Sequence, residues 1–76
     1  MRRYTDDEGR TWDVVLGRAS FGMLYALFVP AAGNPEPTRQ ALLGASSYAA
    51  AETELDELSK DELASLLQRS ELKSLE

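Results

Sequence analysis

The chain has 76 residues, 8 basic and 13 acidic side chains, a net charge of −5, no histidine and no cysteine. Composition alone excludes disulfides, thiolate chemistry and imidazole acid–base catalysis, and leaves only hard oxygen ligands for a metal. A folded chain of this length hides roughly 60% of its unfolded surface, enough for one small core, so a single domain over residues 1–76 is expected.

The amino terminus, Met1 to Asp7, starts basic but has no apolar run behind it, so it is not expected to be a secretory signal. Asp6-Asp7-Glu8-Gly9 reads as a turn of acids that bond their own backbone, closed by a glycine free to take positive φ. Arg2 to Thr5 should therefore pair back as a hairpin on Thr11 to Gly17, through a type I turn with a glycine bulge. In that second strand Trp12, Val14 and Leu16 share one face, and Thr11, Asp13 and Val15 the other.

Gly17 to Ser20 reads as the next connection. Phe21 to Val29 then places Phe21, Met23, Tyr25, Leu27 and Val29 on one side and Leu24, Ala26 and Phe28 on the other. Both faces are apolar, as in a strand covered on both sides. A short buried helix capped by Ser20 is the alternative, disfavoured by Gly22 and Pro30. The segment is about half the length needed to cross a bilayer, so no membrane span is expected.

Ala31 to Pro37 is a loop rich in glycine and proline, and Thr38 to Gly44 is expected to return as a fourth strand or to form one helical turn. Residues 1–45 thus make a β-rich half and residues 46–70 two helices. Ser46 or Ser47 can cap the first, whose stripe is Tyr48, Ala51, Leu55 and Leu58. Ser59-Lys60-Asp61-Glu62 matches a capping box, so the second helix starts at Lys60 with Leu63, Leu66, Leu67 and Ser70 inward. Residues 71–76 fall off that stripe and are expected to fray or meet a partner. The fold class is α+β: a three- to four-stranded antiparallel meander sheet with two C-terminal helices packed on one face.

Motifs for catalysis are weak. Gly17 to Gly22 has phosphate-loop glycine spacing, but Met23-Leu24 stands where lysine and a hydroxyl residue are required. Serines 20, 46 and 47 lack an activating base, and Asp6-Asp7-Glu8-Gly9 lacks the alternation of a calcium loop. No catalytic residue, metal, cofactor or small-molecule substrate is expected, although a carboxylate-dependent enzyme stays open as a distant alternative.

A domain this small without disulfides or metal is often held by association. If the helices cover the Tyr25–Leu27 side, Leu24, Ala26 and Phe28 lack a cover, and with Leu72 and Leu75 they form the predicted partner interface. The expected function is a small non-catalytic interaction module, cytoplasmic and self-associating through an apolar sheet face or edge strand. A nucleic-acid-binding domain is the alternative, using Arg2, Arg3, Arg10, Arg18 and Arg39 with Trp12 and Tyr25 as stacking platforms. The acidic excess, all within residues 46–76, makes nucleic acid the weaker reading.

Overall fold

The computed structural model describes residues 2–18 and 22–73. Among these, five strands and two helices follow the order β1 (Arg2–Thr5), β2 (Thr11–Arg18), β3 (Leu24–Pro30), β4 (Arg39–Leu42), α1 (Tyr48–Glu57), α2 (Lys60–Gln68) and β5 (Glu71–Leu72). The strands form one antiparallel sheet in sequential order β1-β2-β3-β4-β5, with both helices between β4 and β5. The fold is α+β, with one strand more than the sequence suggested.

The first hairpin follows from its turn residues. The Gly9 N–H donates to the Asp6 carbonyl at 3.0 Å, and Asp6 N–H donates to Arg10 O at 2.9 Å. Gly9 takes φ of +82°, the left-handed region that glycine enters without a Cβ penalty. The Asp6 carboxylate accepts from the backbone N–H groups of Glu8 (3.0 Å) and Arg10 (2.9 Å), and from the Trp12 indole at 3.3 Å. One side chain therefore shapes the turn and satisfies the polar edge of the largest core residue.

Register then decides which face is core. Val14 opposes Phe28, Leu16 opposes Ala26, and Ala26 opposes Ala41, so one face joins Tyr4, Trp12, Val14, Leu24, Ala26, Phe28 and Ala41. Ala51 and Leu55 of α1 and Leu63 and Leu66 of α2 complete this core. The Trp12 and Phe28 rings meet edge to face, with centroids 6.3 Å apart.

Both helix starts follow their caps. Ser47 accepts from Ala50 N–H to begin α1, and Ser59 with Glu62 closes the capping box of α2. Tyr48 departs from the stripe expected of it: it is exposed, with the Arg18 guanidinium 5.1 Å from its ring centroid. Residues 71–72 are not a frayed end but a two-residue strand on β4, where Arg39 Nε donates to Ser70 Oγ at 2.8 Å and Lys73 N–H donates to Thr38 O at 3.1 Å. Of the expected strand over residues 21–29, the paired part starts at Leu24; Phe21 and Ser20 lie outside the described residues, as does Leu75.

Candidate interaction surface

Leu24, Ala26 and Phe28, expected at a partner interface, are sealed within the same chain, Phe28 at 0% exposure. The physical reason is strand parity. Taken alone, β3 is equally greasy on both sides, but the register adds Trp12 and Val14 to the Phe28 row and Thr11 and Asp13 to the Leu27 row. Summed across the sheet, the Phe28 face gathers the large apolar side chains at its centre, with Arg2, Arg18 and Arg39 at its margins, and takes the helices. The small Ala26–Ala41 pair lies on that helix-covered face. Leu72, on β5 beside Arg39, is 59% exposed at the sheet edge.

The face left open is the opposite one. Val15 stands across from Leu27, Asp13 from Val29, and Tyr25 from Leu42. Val15, Tyr25, Leu27 and Val29 are half-buried by one another, and Leu42 is 45% exposed. Gln40 and Glu71 continue the row across β4 and β5, and with Tyr25, Leu42 and Arg69 they line a depression of about 270 Å³. On the other flank the Arg3 guanidinium pairs with Asp13 at 3.0 Å, and the Thr5 and Thr11 hydroxyls are 3.0 Å apart. The result is an apolar centre with a polar, charge-balanced rim.

The five arginines considered for nucleic acid are not gathered into one patch. Arg2 donates to the carbonyls of Leu55 (3.0 Å), Asp56 (3.4 Å) and Leu58, capping the C-terminus of α1. Arg3 pairs with Asp13 on the outer face, Arg10 with Glu8 and Glu36 at the turn, Arg18 covers Tyr48, and Arg39 holds Ser70. Trp12, the proposed stacking platform, is 2% exposed and cannot reach a base. Tyr25 alone of that pair lies on the open face.

The titrating groups have structural explanations. Asp6 feels partial burial, which raises its pKa, but the hydrogen bonds from Arg10, Trp12 and Glu8 and the Arg10 charge outweigh it and hold the carboxyl below its ordinary range. Hydrogen bonds within the capping box lower Glu62 likewise. Burial, followed by the nearby charges of Asp7, Asp6 and Asp61, raises Tyr4. Depressed carboxyl values are the reverse of what a general acid needs at neutral pH. Among the described residues, no group of three or more acidic side chains is placed to hold a metal ion, and no helix is long and apolar enough to cross a membrane. Comparison with family models, with curated proteins and with solved structures finds no match to this chain.

Proposed function

We propose that the protein is a small non-catalytic interaction module whose contact surface is the outer face of the sheet, and whose partner presents an apolar, weakly charged protein surface. The observation that carries this reading is the uncovered row Val15, Tyr25, Leu27, Val29 and Leu42, on the side of the sheet away from both helices. A contiguous apolar patch with a polar rim is costly to leave in water and marks a docking surface. The face is favoured over the edges, because β1 has four residues and carries Arg2 and Arg3, while β5 has two and carries Glu71. Short, charged edges disfavour strand addition. A cytoplasmic setting goes with this reading, in keeping with the cysteine-free sequence; cell fractionation tests it.

The test compares the lone molecule with and without its greasy face. Leu42→Thr and Val29→Thr are measured by urea unfolding at sub-micromolar concentration. A surface kept for contact contributes little to the monomer, so each variant should stay within about 0.5 kcal/mol of the parent. A loss above about 2 kcal/mol, the size of a core truncation, would assign the face to the protein's own fold instead.

A further inference from the structure

We infer that the occupant of the outer face is a second copy of this chain, sheet against sheet with both helix layers turned outward; this rests on the reading of that face as a contact surface. The charge distribution argues for it. Residues 48–70 carry six acids and two bases, net −4, whereas residues 2–47 balance five acids with five bases. Helix layer against helix layer would oppose two strongly acidic surfaces. The sheet face instead brings together surfaces whose Arg3 is already matched by Asp13, and whose β4 flank holds Arg69 beside Glu71 in one depression.

Distance strengthens the argument. Packed sheets lie about 10 Å apart, so with a helix layer outside each sheet the two acidic layers end roughly 30 Å apart. That is about three Debye lengths at 0.1 M salt, where the repulsion is largely screened. At about 0.01 M the Debye length reaches roughly 30 Å and the layers oppose each other again. Self-association by this face is therefore indifferent to salt in the ordinary range and weakened when salt is removed. Contacts held by acidic helices on arginines would behave in the opposite way.

Area sets the strength. Strands β1 to β4, of 4, 8, 7 and 4 residues, cover roughly 360 Å² at about 3.3 Å rise and about 4.8 Å spacing, or about 700 Å² over two copies. This is below the range of stable specific interfaces, so only a weak, transient dimer is expected.

Sedimentation velocity from about 1 µM to about 0.5 mM tests the inference. The expected result is a monomer–dimer equilibrium, constant between about 0.1 and 0.5 M salt and weaker below about 0.02 M. Leu42→Asp and Val15→Asp should each raise the dissociation constant at least tenfold while the far-ultraviolet circular dichroism stays that of the parent. Leu42, the more exposed of the two, guards against loss of fold. A monomer at every concentration overturns the second copy but leaves the contact surface to a different partner. A dimer that persists in both variants, or tightens at low salt, also overturns the inference. Failure of the stability comparison under Proposed function would remove both readings.

Discussion

The Leu27 side chain reaches diagonally over Gly17, whose register partner is Tyr25: a Cβ built on Gly17 would come within 2.7 Å of Leu27 Cδ1 and 3.0 Å of its Cγ. The glycine is thus the recess into which the central leucine of the open face folds. Gly17→Ala should displace Leu27 and destabilise the protein by roughly 1 kcal/mol, the overpacking cost outweighing the usual strand advantage of alanine. In a Leu27→Ala background the clash disappears, and the same change should stabilise by about 0.5 kcal/mol. Urea unfolding of the four proteins checks this reversal; a Gly17→Ala effect of the same sign in both backgrounds would contradict the packing.

Phe28 and Leu42 should respond in opposite ways. Phe28 is enclosed and meets Trp12 edge to face, so Phe28→Ala should cost about 3–5 kcal/mol and leave so small a domain largely unfolded at room temperature. Leu42→Ala should cost less than about 1 kcal/mol in the isolated molecule. Thermal melts read the difference directly, and a folded Phe28→Ala protein with an ordinary melting transition would contradict the core.

Arg2 reinforces the C-terminal cap of α1, where the Leu58 N–H donates to the Leu55 carbonyl at 3.4 Å. The last turn of α1 contains no basic residue, and the Arg2 guanidinium from β1 takes up its end carbonyls. Arg2→Met keeps the aliphatic stem but loses this reinforcement, with an expected cost of about 1 kcal/mol. Amide exchange should speed up in α1 more than in α2. Equal change in both helices would argue against a local cap.

Acid should weaken the first hairpin. Because the folded pKa of Asp6 lies below its ordinary 3.8, its contribution is fully present above that value and is lost as pH falls through the lower folded pKa. The urea midpoint should therefore fall below pH 4, and less steeply for Asp6→Asn. Tyr4 works at the other end: its folded pKa lies above 10.0, so the stability it favours is present below 10.0 and lost as pH rises through the folded value. Tyr4→Phe should remove the tyrosine part of that alkaline loss. Identical acid profiles for Asp6→Asn and its parent would remove Asp6 from the account.

Much of the fold was legible because local chemistry carried it. Asp6 and Gly9 specify the hairpin, Ser59 and Glu62 the start of α2, and the alternation around Trp12 the inward face of β2. The open surface was misplaced because β3, read alone, has two equivalent faces; only its pairing with Val14 and Val15 tells them apart. Trp12 was the signal that could have settled it, since the row joining the largest apolar residue must be the buried one. β5 was missed because two exposed residues, Glu71 and Leu72, have no pattern of their own. Their place is fixed by Arg39 from a distant part of the chain.

The most direct measurement is an isotope-filtered nuclear Overhauser experiment on an equimolar mixture of labelled and unlabelled protein at high concentration. Intermolecular contacts should appear at the methyl groups of Val15, Leu27, Val29 and Leu42. Contacts confined to Ala49, Thr53 and the neighbouring surface of α1 would contradict the assignment of the sheet's outer face as the binding surface.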